Sequence, residues 1–148
     1  MYSTNKNTAP EKSKIQIAKN QCYELLHDRT ANRLYFAVNG FWKNREVVAG
    51  LLDDWRKALN SVQPHFTLLL DLRSMITHPQ HLNSLHLEVY QLIKEAGLHY
   101  AACVGPEDRI ATLQVEEIIR KSEFPVKNFA TCQEADSWLN SLSGTYTS

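Results

Sequence analysis

The sequence predicts an α/β fold built on a mostly parallel, five-stranded sheet with one antiparallel edge strand. Residues 66–72 form an almost continuous apolar segment that ends in polar residues, as a buried central strand does. Short apolar segments then alternate with segments of helical spacing along the chain. A length of 148 residues with 43% apolar and 22% charged residues suits one globular domain. The predicted order is β-β-α-β-α-β-α-β-α, with the helices largely on one face.

Two strands and a helix are predicted in the first half. Residues 23–27 and 34–38 read as a hairpin, because apolar side chains alternate in the second segment and turn residues separate the two. A helix is predicted over 44–62 and ends at Gln63–Pro64. Its apolar stripe consists of Val48, Leu51, Leu52, Trp55, Leu59 and Val62.

The second half predicts three further helices around the remaining strands. After the central strand, a helix over 79–96 begins with Pro79 and ends before Gly97, as these residues favour. The uncharged segment 100–104 predicts another central strand. A helix then opens near residues 105–108, and a short strand is predicted over 126–130. The final helix begins at a capping box, Thr131 to Glu134, and carries the stripe Ala135, Trp138, Leu139 and Leu142.

One domain is predicted over residues 15–148, after a disordered tail over 1–14 that is polar and has no apolar period. The chain has 16 basic and 16 acidic residues, and a formal net charge of zero argues against nucleic-acid binding. No apolar run reaches 18 residues, so no membrane span is expected. The start lacks the apolar core of a signal peptide, which predicts a cytoplasmic protein. Three scattered cysteines argue against a disulfide framework or a zinc site.

The sheet face away from most helices is predicted to be small and apolar. Strand alternation places on it Tyr35, Ala37, Thr67, Leu69, Ala101 and Cys103. Such a face is rarely left bare, and three covers are open: residues 15–18, one of the helices, or another molecule. We expect an N-terminal strand or a second copy of the chain, as a homodimer, to cover part of it.

Several segments together resemble the STAS-like domain of anti-sigma-factor antagonists, and most closely the stand-alone bacterial STAS-like proteins. They are the hairpin end Asn39–Gly40, the helix around Trp55, Leu68-Leu69-Leu70-Asp71-Leu72-Arg73, Ala101-Ala102-Cys103-Val104-Gly105, and the ending 129–139 with its F…EA..WL pattern. The resemblance covers residues 21–142 and implies a β-α superhelix with a non-catalytic role. In the antagonists, a serine in an Asp-Ser-Ser-Gly motif is phosphorylated by a partner kinase. Here the loop contains Ser74 and Thr77 but no such motif, so no phosphosite is transferred.

The resemblance and the fold together predict a regulatory or binding module. The loops 73–80 and 105–108 should share one edge of the sheet, because the carboxyl ends of parallel strands do. A helix N-terminus can hold an anion, and Glu107 and Asp108 disfavour this at the later loop, so the earlier loop is the better candidate. The residues expected to bind a protein partner or a small ligand are Asp71, Arg73, Ser74, Thr77, His78, His81, Phe41 and Trp42.

Other chemistries are weakly indicated. Asp71 lacks the companion acids and lysine of a receiver domain, so we expect it to cap its loop or pair with Arg73. His78, His81 and His86 match no standard metal motif and are expected to face solvent or cap a helix. No metal and no cofactor are predicted.

The two cysteines of the second half lie in different predicted elements. Cys103 lies within an apolar strand and is expected to be inert. Cys132 lies at a helix start, where a thiolate is favoured, but it has no neighbouring histidine.

Two alternative functions remain open at this point. A carrier of an apolar ligand, similar in outline to CRAL-TRIO lipid-transfer domains, would use the apolar second face or the Phe41–Trp42 pair. That pair is expected either to pack at a helix start or to form an exposed anchor. An enzyme would use Asp71, His78 and His81 as acid–base groups.

Overall fold

Six strands in the order β1-β2-β3-β4-β5-β6 form one sheet. The computed structural model describes the backbone of residues 14–147 and the side chains of residues 14–142. The strands are β1 Lys14–Lys19, β2 Tyr23–Asp28, β3 Arg33–Val38, β4 Thr67–Asp71, β5 Tyr100–Val104 and β6 Val126–Phe129. The helices are α1 Leu51–Ser61, α2 Asn83–Glu95, α3 Arg109–Ser122 and α4 Cys132–Thr147. β1, β2 and β3 pair antiparallel, whereas β3 to β6 pair parallel.

The predicted α/β class is confirmed, but the predicted strand count is wrong by one. β1 pairs with β2 from Lys14↔Asp28 to Lys19↔Glu24, with an irregularity between Gln16 and Ala18. The predicted first strand is therefore not the edge. β1 extends the sheet sideways and does not lie over its second face. Its half-exposed side chains give no clear period, which is why the pattern did not place the expected N-terminal strand in the sheet. The predicted tail falls outside the described residues, apart from Lys14, which begins β1.

Three helices cover the first face of the sheet, as predicted. α1, α2 and α3 bury a large apolar core against β2 to β5. Within it, Leu68 and Leu70 are fully buried, and the Trp55 ring meets Phe36 edge-on at 5.0 Å. Aromatic and branched side chains of this size account for most of the apolar area that a domain buries. This core fixes the strands whose carboxyl ends form the candidate site.

The second face is covered by α4, one of the three covers left open. Leu69, Ala102 and Val104 pack there against Ala135 and Leu139.

The predicted phase of β5 is wrong, because Ala101 and Cys103 belong to the first-face core. The register pairs Leu69 with Ala102 and Leu70 with Cys103. Its central residues, 101–104, carry no charged or polar side chain that would show in the sequence which of them face α1, α2 and α3 and which face α4.

The predicted helix over 44–62 divides into two parts. A 3-10 helix spans Arg45–Val48, capped by the Asn44 side chain, which accepts from the Val47 amide at 3.2 Å. α1 starts only after Gly50, a residue with low helix propensity. The predicted helix over 79–96 likewise begins as a 3-10 turn, Gln80–Leu82, before α2.

The predicted end of the second helix at Gly97 and the predicted start of the last helix at Thr131 agree with the structure. Gly97 has φ +98°, a conformation that glycine adopts without strain. Thr131 Oγ1 accepts from the Glu134 amide at 3.1 Å, which is half of the predicted capping box. Within the described part of the chain, no helix combines the length and apolar character needed to cross a membrane.

Candidate functional site

The carboxyl ends of β3 and β4 are joined by backbone hydrogen bonds beyond the strands themselves. The Gly40 amide donates to the Ser74 carbonyl at 2.8 Å, and the Ile76 amide donates to the Gly40 carbonyl at 3.1 Å. Gly40 has φ +64°, so a residue with a side chain would be strained there. The loop after β4 is thereby held against the segment that follows β3.

The loops after β4 and β5 meet at the same edge, as the sequence predicted. The Glu107 amide donates to the Arg73 carbonyl at 3.3 Å, and Thr77 Oγ1 donates to Asp108 Oδ2 at 3.3 Å. Asp108 also caps α3 by accepting from the Ala111 amide at 2.9 Å. One aspartate thus fixes both the start of α3 and the middle of the neighbouring loop.

Gln114 of α3 clamps the backbone of His78. Its Oε1 accepts from the His78 amide at 2.9 Å, and its Nε2 donates to the His78 carbonyl at 2.9 Å. The same Nε2 donates to Asn83 Oδ1 at 2.8 Å. An amide side chain provides both a donor and an acceptor, so it can pair with an extended peptide in this way.

Asp71 and Arg73 form the predicted pair at the end of β4. Arg73 Nε donates to Asp71 Oδ1 and its Nη2 donates to Oδ2, both at 2.9 Å. Burial raises the pKa of the Asp71 carboxyl, but the hydrogen bonds from Arg73 outweigh burial and hold that pKa below its ordinary value. The carboxylate in turn raises the pKa of Arg73. Half of the Arg73 side chain is exposed, so its guanidinium is accessible at the rim.

His78 is buried, which contradicts the expectation that it faces solvent. It is 1% exposed and lies with His86 of α2, which is 6% exposed. Their Nδ1 and Nε2 atoms are 3.0 Å apart, and His78 Nε2 lies 3.1 Å from the Gly40 carbonyl oxygen. Trp42 stacks on both imidazoles, with ring centroids 4.6 Å from His78 and 5.2 Å from His86.

The Phe41–Trp42 pair is divided between the core and the surface. Trp42 is fully buried, and its Nε1 donates to the Cys22 carbonyl at 2.9 Å. Phe41 is 54% exposed. Trp42 is thus the packing residue and Phe41 the exposed aromatic of the two predicted roles.

Exposed apolar side chains concentrate around this edge. In the described part of the chain, seven large hydrophobic side chains are exposed. One of them, Ile76, belongs to the loop 74–78. Gly40, Asp108 and Gln114 hydrogen-bond to this loop, and within two residues of them in the chain lie the exposed Phe41, Ile110 and Leu113. Arg73, Ser74 and His81 are exposed polar residues of the same loop. We define the rim surface as these three polar residues together with Phe41, Ile76, Ile110 and Leu113.

The three acid–base candidates make separate contacts. Asp71 pairs with Arg73, His78 is buried against His86, and the exposed His81 accepts from Ser84 only through its backbone carbonyl, at 3.4 Å. Among the described residues, no group of three His, Cys, Asp or Glu side chains is arranged to hold a metal ion. The arrangement therefore gives no support to a catalytic role for the three.

A polar network on the second face was not anticipated. The Arg33 guanidinium is 1% exposed; its Nε donates to Thr67 Oγ1 at 2.9 Å, and its Nη1 donates to Asp136 at 2.8 Å and Asn140 at 3.0 Å. The Tyr35 hydroxyl donates to the same Asp136 oxygen at 2.8 Å. Burial, followed by this hydrogen bond, raises the pKa of Tyr35 to about 12. In the described structure, Arg33 Nη2 has no hydrogen-bond partner.

The surroundings of Cys103 and Cys132 bear on the reactivity predicted for each thiol. Burial raises the pKa of Cys103 to about 12, which agrees with an inert thiol. The pKa of Cys132 is also raised, first by burial and then by the Asp71 carboxylate. Burial and the Asp71 carboxylate therefore both oppose the thiolate that was expected to be favoured at the start of α4.

Two cavities have residues from the end of β4 in their lining, Asp71 in one and Arg73 in the other. A groove of about 350 Å³ on the second face has Tyr35, Leu69 and Asp136 among its lining residues. A cleft of about 560 Å³ opens between α3 and β6, with Arg73 and Glu107 among its lining residues. Trp42 is packed in the core and lines neither cavity.

Solved structures with the same fold come from two bacteria. SiaC of Pseudomonas aeruginosa is 20% identical with a TM-score of 0.52, and the match covers 79% of this chain and 99% of SiaC. A protein of the DUF3478 family from Shewanella loihica, described as having a SpoIIAA-like fold, is 14% identical with a TM-score of 0.56; the match covers 82% of this chain and 97% of that one.

A third similar structure is a complex. A chain in the structure of the diguanylate cyclase SiaD with its activator SiaC, from Pseudomonas aeruginosa, is 21% identical with a TM-score of 0.50, covering 77% of this chain and 97% of that chain. No protein-family model and no curated protein matches the sequence. The structural likeness shows that the chain has the STAS-like fold that its sequence resembles.

The important residues that sequence reasoning missed are Arg33, Gln114 and Asp136. Each acts through a partner more than 30 residues away in the chain, so no local pattern identifies it. His86 carried a usable signal, because it lies four residues after Leu82 and three before Val89, on the buried side of α2.

Proposed function

We propose that this chain is a non-enzymatic regulatory module that binds a protein partner through the rim surface. The observation that carries the proposal is the concentration of exposed Phe41, Ile76, Ile110 and Leu113 around one hydrogen-bonded loop. The fold gives further support, since SiaC has a similar fold and is the activator in a complex with SiaD.

The rim surface has the composition of a protein interface. It combines four exposed apolar side chains with the exposed polar residues Arg73, Ser74 and His81, and protein interfaces combine apolar and polar groups in this way. Aromatic and arginine side chains contribute a large share of binding energy at such interfaces. Two hydrogen bonds to Asp71 orient the Arg73 guanidinium. Because Arg73 is already ordered, it loses less conformational entropy when a partner contacts it.

The support beneath the surface favours a preformed site. Gly40, Asp108 and Gln114 hold residues 74–78 by backbone and side-chain hydrogen bonds. A loop held in this way needs little reordering when it binds, and preorganisation of this kind increases affinity. Trp42 and His78 then act as packing residues under the surface and not as contacts to the partner.

The first experiment replaces the apolar residue of the rim surface that belongs to the hydrogen-bonded loop. Ile76→Ser in the whole chain should weaken capture of the partner from native cell extract about tenfold, the loss of about 1.4 kcal/mol of binding free energy expected when an interface hot spot is removed. Ile15→Ser on β1 is the matched control, since Ile15 is also exposed, at 41% against 51% for Ile76. Both variants should unfold at the same denaturant concentration as the unaltered protein.

The pattern of capture decides the outcome. A protein retained by the unaltered chain and by Ile15→Ser, but lost with Ile76→Ser, supports the proposal. Equal capture by all three chains rejects the rim surface as the binding site. The double change of Arg73 and His81 to alanine should also weaken capture without unfolding the domain.

Native mass spectrometry tests the remaining alternatives on the same sample. A co-purified apolar molecule would favour the ligand carrier, and a doubled mass would reveal a second copy of the chain. A single mass equal to that of the chain favours the regulatory module.

A further inference from the structure

A buried pair of histidines lies directly beneath the rim surface. His78 belongs to the loop that follows β4 and His86 to α2, and their ring nitrogens are 3.0 Å apart. The two rings stack nearly parallel, with centroids 5.2 Å apart and an interplanar angle of 14°. Trp42 stacks against both of them. The side chain of His78 thus ties the loop to the core.

The hydrogen bonds fix where the protons of the pair lie. The Gly40 carbonyl oxygen can only accept, so His78 Nε2 carries a proton and donates to it at 3.1 Å. His78 Nδ1 is then an acceptor, and His86 Nε2 donates to it. A further proton on His78 Nδ1 would make His86 Nε2 the acceptor and would place a positive charge on a pair whose rings are 1% and 6% exposed. Because burying a charge costs free energy, the closed loop favours a neutral pair.

The charged groups of the surrounding elements have other partners. Asp108 at the start of α3 accepts from Thr77 and Ala111, and Glu88 of α2 pairs with Arg45. Gln114 of α3 contacts only the His78 backbone and Asn83.

The Trp42 side of the pair is similar. Tyr23, whose ring lies 6.0 Å from Trp42, donates its hydroxyl proton to Asp54, and Lys43 is exposed. Burial lowers the pKa of both histidines, and burial together with the neighbouring His78 lowers the pKa of His86 to about 3.

We propose that the His78–His86 pair is a proton-sensitive latch, and that acidification releases the 73–81 loop from the core. Its effect on partner binding rests on the proposed function, whereas release of the loop does not. In the released state both imidazoles reach water and bind protons near the ordinary pKa of about 6.5. The closed state binds fewer protons, so a falling pH favours the released state. Between pH 7.5 and 5.5, the ratio of closed to released loop should fall about tenfold for each histidine, and about 100-fold for the pair.

Hydrogen exchange of the chain alone measures this ratio. The Ile76 and His78 amides are bonded across the loop, so their protection factors, corrected for intrinsic exchange, report loop release. We expect both to fall about 100-fold between pH 7.5 and 5.5, while the amides of β4 stay protected. His86→Phe keeps a flat ring against Trp42 but cannot bind a proton, so its response should be about tenfold. His81→Phe removes an exposed histidine of the same loop and should respond like the unaltered chain.

Three results would overturn the latch: loop protection that is unchanged with pH, an equal response in His86→Phe, or a loss of protection that β4 shares. Should His86→Phe not fold, side-chain nitrogen NMR of the unaltered protein decides. It should show His78 neutral and protonated at Nε2 at pH 7.5, and the opposite tautomer would overturn the latch. A pH-dependent loop in a protein that captures no partner at pH 7.5 would reject the proposed function and leave the latch supported.

Discussion

Leu69 and Leu70 are neighbours in β4, yet their side chains enter different surroundings. Leu70 points into the large apolar core beneath α1, α2 and α3, and is fully buried. Leu69 points to the second face, where a small cluster with Ala135 and Leu139 of α4 borders an open groove. On that face, hydrogen bonds among Arg33, Tyr35 and Asp136 accompany the apolar contacts. The first face is thus stabilised mainly by packing, and the second by limited packing with a polar network.

The largest expected effect compares these two leucines directly. Leu70→Ala should lower the free energy of unfolding by about 4 kcal/mol, because its closed core cannot collapse around the cavity. Leu69→Ala should lower it by only about 2 kcal/mol, since the site lies beside a groove that water can enter. Urea unfolding followed by fluorescence measures both. Equal losses would mean that the two faces are packed alike.

A smaller effect tests the polar network of the second face. Asp136→Ala should destabilise the chain by about 1–3 kcal/mol, because it removes an acceptor from the buried Arg33 charge. Asp53→Ala is the control, because it breaks an ion pair between two mostly exposed side chains, those of Asp53 and Arg56. It should change the free energy of unfolding by less than about 0.5 kcal/mol. Chemical denaturation of both variants gives the comparison. Matching values would show that burial of Arg33 is compensated elsewhere.

The smallest effect concerns the end of β4, where the second face reaches the rim. Arg73→Ala should alter the free energy of unfolding by less than about 1 kcal/mol, because the Arg73–Asp71 pair is partly exposed. Arg73 lowers the pKa of Cys132 while burial and Asp71 raise it, so its removal should raise that pKa further. Alkylation of Cys132 at pH 8 should then slow several-fold relative to Cys22 in the same sample, as read by peptide mass spectrometry. A faster reaction at Cys132 would contradict the assigned sign.

Much of the fold could be predicted from periodicity and end signals. The alternation in residues 34–38, the stripe around Trp55 and the ends at Gly97 and Thr131 each depend on contacts within a few residues, and each prediction is confirmed. β1 was expected only as an N-terminal strand over the second face; its place at the edge of the sheet was not predicted, because half-exposed side chains weaken its period.

The meeting of two loops at one edge was predicted, but the contacts within them were not. Two loops were expected at one edge, and the bonds between Arg73 and Glu107 and between Thr77 and Asp108 join them there. His78 was expected at the surface, yet it is buried because the partner that makes burial tolerable, His86, lies eight residues further along on α2.

The sequence by itself determined the local elements and the shared edge of the loops, because the spacing of apolar residues and the direction of parallel strands follow from nearby residues. Only the tertiary structure decided the phase of β5, the place of Arg33 against Asp136 and the burial of His78. These depend on register and on side chains up to 103 residues apart, for which a single sequence carries no spacing rule.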